Sequence, residues 1–145
     1  LMGLLADAHA AAGGRVIGVY PANTFSRDVS HPGLSELRVV ASMHERKAAM
    51  YELSDAVIAL PGGYGTLEEL FEALTWTQLG LHALPAVLLD VNGFWEPFVT
   101  FLDGCVTAGF LKERNRALVG VVHDPAGALS TLARIDTAYQ EKWSG

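Results

Sequence analysis

An apolar run, Ala56-Val57-Ile58-Ala59-Leu60, leads straight into Pro61-Gly62-Gly63-Tyr64-Gly65-Thr66, and this junction limits the folds open to the chain more than any other stretch. The run is short, partly β-branched and uninterrupted, the pattern of a strand buried on both faces. The residues that follow, to Trp76, place apolar side chains at 67, 70, 71 and 74, which is helical spacing. The glycines therefore fall in a strand-to-helix turn. Unpaired backbone N–H groups and the positive end of the helix dipole make such a turn a site for an anion, typically a phosphate. Glycine suits it because a Cβ would hold the ligand off the backbone and disfavour positive φ. The pattern lacks the Lys-Ser/Thr ending of a P-loop and does not have dinucleotide-fingerprint spacing. Two plainer readings stay open. The glycines could serve only a tight turn, and Thr66-x-x-Glu69 is formally a capping box that would use Glu69 for capping alone.

The remaining chain alternates strand and helix around this junction. Leu4 to Ala12 reads as a helix ended by Gly13-Gly14, and Arg15 to Tyr20 as a strand closed by Pro21. Residues 22–38 read as polar loop with a turn at Pro32-Gly33, and Val39-Val40-Ala41 as a short extended piece. Ser42-Met43-His44-Glu45 is a second capping box, opening a helix to about Leu53. After the glycine turn its helix runs to about Leu79. Leu84 to Val91 is the next strand, turning at Asn92-Gly93, and a helix from about Trp95 to Ala108 stops at Gly109. Ala117 to Val122 is the last strand, and Asp124-Pro125 starts a final helix. This alternation predicts an α/β, Rossmann-like fold, a parallel sheet with helices on both faces, in a single domain spanning residues 1–145.

Bulk properties exclude several classes. A net charge of −6 argues against a general nucleic-acid binder. No stretch is long and apolar enough to span a bilayer, so no membrane partner is expected. The one cysteine, Cys105, excludes an internal disulfide framework and suits a reducing compartment such as the cytoplasm. It falls in a mostly apolar helical stretch, where a buried inert thiol is expected. The five histidines show no metal-ligand spacing, and His44 in a first helical turn reads as a surface side chain.

The helix from Met43 carries a second constellation. Met43, Arg46, Lys47, Met50 and Tyr51 share one stripe by their spacing. Two cations then sit near the amino end of a helix, where they oppose the macrodipole unless an anion offsets them. A phosphate or nucleotide clamp would explain them, with Arg preferred for its planar fork. Snorkelling to solvent, or pairing with Glu45 or Glu52, would explain them as well. Asp28, beside Arg27, is a further acidic candidate on a loop.

Met43-x-x-Arg46-Lys47 followed by Pro61-Gly62-Gly63-x-Gly65-Thr66-x-x-Glu69 resembles the paired signature of the LOG ("Lonely Guy") family. Thr75-Trp76-x-Gln78-Leu79-Gly80 and the Asn92-Gly93-Phe94-Trp95 turn extend the resemblance from Leu1 to about Leu111. The family, often labelled lysine decarboxylase-like, hydrolyses the N-glycosidic bond of cytokinin-type adenine nucleoside 5′-monophosphates to free base and ribose 5-phosphate. The resemblance implies Arg46 and Glu69 as the catalytic pair. It implies Gly62, Gly63, Tyr64, Gly65 and Thr66 as the phosphate cradle, and Lys47, Met43 and Thr75 as nucleotide contacts. It implies AMP or isoprenoid-modified AMP as the small-molecule substrate, no cofactor and no metal, and a homodimer. Asp28 stands where the family commonly has a substrate-contacting Glu, a shorter side chain with less reach. Family members begin with a strand and a glycine-rich loop ending Gly-Leu-Met-Gly. Only Leu1-Met2-Gly3 of it stands here, so an amino-terminally incomplete domain is expected. A general AMP or pyrimidine-monophosphate nucleosidase, and a non-catalytic nucleotide carrier or sensor, are the alternative functions on the same scaffold.

Overall fold

The computed structural model describes residues 1–22 and 31–139, which cluster into two compact units, Leu1–Leu53 and Ser54–Gly145. Both are built from parallel strands flanked by helices, the α/β Rossmann-like arrangement the alternating pattern predicts.

The first unit contains α1 (Met2–Ala11), β1 (Ile17–Pro21), β2 (Glu36–Val40) and α2 (Met43–Glu52). β1 and β2 pair in parallel with Ile17 opposite Glu36 and Pro21 opposite Val40, and α2 packs against both. The expectation of loop through residue 38 is corrected, because β2 already begins at Glu36. Its charged residues explain the misreading. Glu36 and Arg38 lie two apart and so share one face of the strand, where Arg38 Nε donates to Glu36 at 2.6 Å and Arg15 pairs with the same carboxylate. The Arg38 hydrogen bond, followed by the charges of Arg38 and Arg15, holds the Glu36 carboxyl below its ordinary range. β1 likewise starts later than expected, at Ile17, and takes Pro21 into the strand. Proline is tolerated there because it ends the strand.

The second unit contains β3 (Val57–Ala59), α3 (Tyr64–Leu79), β4 (Ala86–Leu89), α4 (Glu96–Thr107), α5 (Glu113–Arg116), β5 (Val119–Val122) and α6 (Pro125–Leu132). The strands form a parallel sheet in the order β3-β4-β5. Alternation along β4 divides the core in two. Ala86 and Leu88 pack with Leu70 of α3 and with Trp95 and Leu102, whereas Val87 packs on the other face with Ala128 and Leu132 of α6. A strand covered on both sides must be apolar at every position, as Ala86-Val87-Leu88-Leu89 is. The last strand begins at Val119 rather than Ala117. The short helix α5 escaped the sequence because its four polar residues carry no apolar period. Cys105, expected to be buried, is only half-buried on α4.

Between α3 and β4 the chain is tied by a polar knot. The hydroxyl of buried Thr77 lies 3.1 Å from the carbonyl oxygens of Ala73 and Leu84 and 3.2 Å from His82 Nδ1. The Leu84 N–H donates to the same Nδ1 at 3.3 Å, which uses that nitrogen as an acceptor. Burial pushes the His82 pKa down, a hydrogen bond with its own backbone partly opposing it. A histidine whose pKa is lower folded than unfolded gives stability that is present above about 6.5, the ordinary value. That stability is lost as the pH falls through the lowered folded value. The melting temperature should therefore drop when the pH is taken from 7.5 to 5.5, and His82→Gln should remove part of that drop. Identical pH–melting curves for the two proteins would show that the knot is not the acid-sensitive point.

Candidate functional site

The helix after the glycine turn begins at Tyr64, with Gly63 at its N-cap in a φ −96, ψ −147 conformation. Its first helical bond runs from the Leu67 N–H to the Gly63 carbonyl at 3.1 Å. The amides of Tyr64, Gly65 and Thr66 precede that bond and have no acceptor within the helix. Among the described residues no side chain caps this end, and its first turn holds no acid. Two other helices are finished differently. Ser42 accepts from the Glu45 N–H and caps α2, and Asp124 accepts from the Gly127 N–H and caps α6. The longest helix among the described residues, at 16 residues, has neither a side-chain cap nor an acid in its first turn, a state it shares with α1.

The three glycines answer to different causes. A Cβ on Gly62 would stand 2.1 Å from Thr66 Oγ1, so this glycine makes room for the Thr66 side chain folded back over the turn. At Gly63 and Gly65 a Cβ would meet nothing within 4 Å. The expectation that the turn uses positive φ is corrected. The glycines with positive φ are Gly13, Gly80, Gly93 and Gly109. Neither a positive φ nor a crowded Cβ among the described residues demands glycine at 63 and 65, and Gly63 holds the N-cap, a position that glycine favours.

The capping-box reading of Thr66-x-x-Glu69 is also corrected. Thr66 is the third residue of α3 rather than its cap, so Glu69 lies a full turn too deep to reach the N-cap amide. Glu69 is half-buried, and by helical spacing it shares a face with Gly65 and Thr66. Tyr64 is 94% exposed beside the bare amides. Thr75 is exposed nine residues beyond Thr66, about 14 Å along the helix axis.

On α2 the Ser42 hydroxyl accepts from the Glu45 N–H, and the Glu45 carboxylate reaches back one residue past the cap, where the Ala41 N–H donates to its Oε2 at 2.9 Å. Met43 opens the helix, and its Sδ lies 3.5 Å from Arg46 Nη1. Arg46 is half-buried and Lys47 is buried at 9% exposure, so snorkelling to solvent does not describe Lys47. His44 is exposed, as expected. The expected residues thus fall into two sets, Met43, Arg46 and Lys47 in the first unit and Gly62 to Thr66, Glu69 and Thr75 in the second. Asp28 lies outside the described residues.

One buried acid lies outside the candidates read from the sequence. Asp90, 4% exposed at the carboxyl end of β4, accepts from the Trp95 N–H at 2.8 Å, and its other oxygen lies 3.5 Å from His123 Nδ1. It holds the turn through Asn92 and Gly93. The short spacing Asp90-x-Asn92-Gly93 is the signal that could have found it. Among the described residues no group of histidine, cysteine and acidic side chains is arranged to hold a metal ion.

A family model described as "Possible lysine decarboxylase" matches residues 2–132. The rice (Oryza sativa subsp. japonica) cytokinin riboside 5′-monophosphate phosphoribohydrolase LOG is 50% identical over 119 residues, covering 82% of this chain and 49% of that protein. The Rhodococcoides fascians cytokinin riboside 5′-monophosphate phosphoribohydrolase is 47% identical over 133 residues, 91% of this chain and 67% of that protein. The Arabidopsis thaliana enzyme LOG4, of the same description, is 47% identical over 119 residues, 82% of this chain and 55% of that protein. The chain spans about half to two-thirds of the length of these curated relatives.

Replacing Gly63 by Asp separates helix stability from anion binding. Asp is a better N-cap than Gly by a few tenths of a kcal/mol, about 0.3, so the melting temperature should hold or rise slightly. The new carboxylate would occupy the bare amides and repel an incoming anion. Inorganic phosphate and AMP should then lose most of their affinity in calorimetry. Unchanged affinity in a folded Gly63→Asp protein would remove the turn from the site.

Proposed function

The chain belongs to the LOG family, whose model carries the possible-lysine-decarboxylase description, and we propose that it hydrolyses the N-glycosidic bond of adenine nucleoside 5′-monophosphates. Water attacks the anomeric carbon, the bond to the base nitrogen breaks, and its electron pair leaves with the base, which takes up a proton. The products are free base and ribose 5-phosphate. On this reading residues 1–145 act as one nucleotide-binding hydrolase domain. The observation that carries it is the bare amino end of α3, with open space above Gly63 and Gly65 and with Glu69 on the same helical face.

Each role follows from charge. The α3 amides hold the phosphate, a part of the substrate that does not react but whose binding energy positions the sugar. Positive charge grows on the ribose ring as the bond breaks, and the Glu69 carboxylate stabilises it and orients the water. Negative charge grows on the leaving base, and the Arg46 guanidinium offsets it. Gly62, Tyr64 and Thr66 shape the cradle, and Lys47, Met43, Thr75 and Asp28 complete the nucleotide contacts. The names of the relatives favour isoprenoid-modified AMP as substrate, which would make the reaction a cytokinin-activating one. A lysine decarboxylase would need a lysine forming a Schiff base with pyridoxal phosphate. Buried Lys47, on a helix shared with Arg46, is read here as a nucleotide contact instead. The single cysteine suits the cytoplasm.

The same reading takes the enzyme as a homodimer through α3 and α4. Phe71 and Phe98 meet edge to face at 5.5 Å, and Phe71, Phe94 and Phe101 remain 41%, 46% and 60% exposed. Aromatic side chains left in water on adjoining helices mark an association surface.

Glu69→Gln and Arg46→Ala should each lower kcat for base release from isopentenyl-AMP by about 10²–10⁴-fold, with melting temperatures near that of the parent. Near-normal turnover in either would sink its assignment. Comparing AMP with isopentenyl-AMP gives the preference, and equal kcat/KM would point to a general nucleosidase. Phe101→Glu should convert the dimer to a monomer in sedimentation. A Phe101→Glu protein that still sediments as a dimer places the interface elsewhere.

A further inference from the structure

At the opposite end of α3 from the glycine turn, the second unit holds a cavity of about 240 Å³. Sixteen residues of helix separate the two places, about 22 Å along the axis. The segment after α6 folds back to form one wall. Thr137 Oγ1 donates to the Ala83 carbonyl at 3.1 Å, and the Tyr139 ring lies over Gly80, where a Cβ would meet it at 2.7 Å. Leu79 and Leu118 supply apolar surface, and Gln78, Lys112, Arg114, Asn115, Asp136 and Tyr139 supply the polar and aromatic lining.

The structural tasks in this region do not use the side chains of Gln78, Lys112 or Asn115. The carboxyl end of α3 is closed by backbone alone, with the Gly80 N–H on the Thr77 carbonyl at 3.1 Å and the Leu81 N–H on the Trp76 carbonyl at 2.9 Å. That pair of bonds is a Schellman closure, and it leaves no task for a lysine at the helix end. Among the described residues, the side chains of Gln78, Lys112 and Asn115 make no hydrogen bond or ion pair. Asp136 uses one carboxylate oxygen on the Ala138 N–H at 3.0 Å, which leaves the second oxygen available.

We propose that this cavity binds a sugar phosphate at a site separate from the glycine turn. Lys112, supported by the charge of Arg114, meets the phosphate. Asn115 and Gln78 each offer a donor and an acceptor, and Asp136 an acceptor, which is the mixture that adjacent hydroxyls require. The Tyr139 ring faces the less polar side of the sugar. The size selects as well. Pockets for drug-sized ligands hold roughly 300–1,000 Å³, so a cavity of about 240 Å³ suits a sugar phosphate better than a whole nucleotide. The site stands on its own lining and not on the reaction assigned above.

Heteronuclear NMR on the full chain tests it, with ribose 5-phosphate, ribose and inorganic phosphate titrated in turn. Ribose 5-phosphate should shift the side-chain amide signals of Gln78 and Asn115, and neither ribose nor phosphate alone should match its affinity. The Lys112→Ala/Asn115→Ala protein should bind at this site at least tenfold more weakly, while the backbone amides of Gly63 and Gly65 respond as in the parent. Lys112→Gln alone gives the same readout should the double variant fold poorly. Signals moving only at the glycine turn would overturn the second site and leave the first untouched. Inorganic phosphate binding as tightly as the sugar phosphate would overturn the sugar. Loss of response at Gly63 and Gly65 with retention at Gln78 and Asn115 would count against the proposed reaction and support the second site.

Discussion

Parallel pairing of β3, β4 and β5 makes the helix that follows each strand begin at one end of the sheet. The chain leaves each strand at its carboxyl end, so α3, α4 and α6 all bring their amino termini there. Three positive dipole ends along one edge are an unfavourable arrangement unless each is compensated. Two of them are dealt with inside the fold. Asp124 caps α6, and Pro125 removes a donor at its first position. Asp90 takes the Trp95 N–H at the start of α4, Glu96 adds a charge to its first turn, and Pro97 again removes a donor. Only α3 is left open, and it is the longest of the three. Of these three helix ends, only that of α3 is therefore left without a side-chain acceptor among the described residues.

The same economy governs where polar groups enter the core. Asp90 is nearly sealed from water, yet one of its oxygens holds a backbone amide and the other faces His123. Thr77 is sealed as well, with two carbonyls and an imidazole nitrogen around one hydroxyl. Both residues sit where a helix and a strand are joined, and both replace hydrogen bonds that the turning backbone cannot make with itself. A buried polar group satisfied in this way fixes the path of the chain, because any other path would leave it unpaired.

What could be read from the residues alone was whatever is local. Ala86 to Leu89 shows a doubly covered strand, Ser42 and Asp124 show where helices begin, and Gly13, Gly80 and Gly109 show where they end. Charge misled where it marked an exposed strand face, so that Glu36 and Arg38 passed for loop. Thr66-x-x-Glu69 misled for a deeper reason. The four-residue pattern is the same whether Thr66 caps a helix or lies within its first turn, and the difference is set by where the helix starts. Here it starts three residues earlier than that pattern implies, at Tyr64 with Gly63 as its cap, and the Thr66 side chain is seated over Gly62. No window of four residues contains that information. The lining of the cavity by α5 was beyond the sequence because it joins residues far apart in the chain, whereas Asp90 left a local mark in the turn spacing Asp90-x-Asn92-Gly93.

The glycines at 63 and 65 show how an absence can be given physical content. Glycine costs a helix terminus conformational entropy, and it is usually repaid by a positive φ or by a crowded Cβ. Gly62 has the crowding, and Gly80 has both. Gly63 and Gly65 have neither, and they lie beside amides with no acceptor in the helix and a carboxylate on the same helical face. On the function proposed above, the group that approaches them is the phosphate of a nucleotide, which carries the negative charge a helix amino terminus favours and comes close enough for a methyl group to matter.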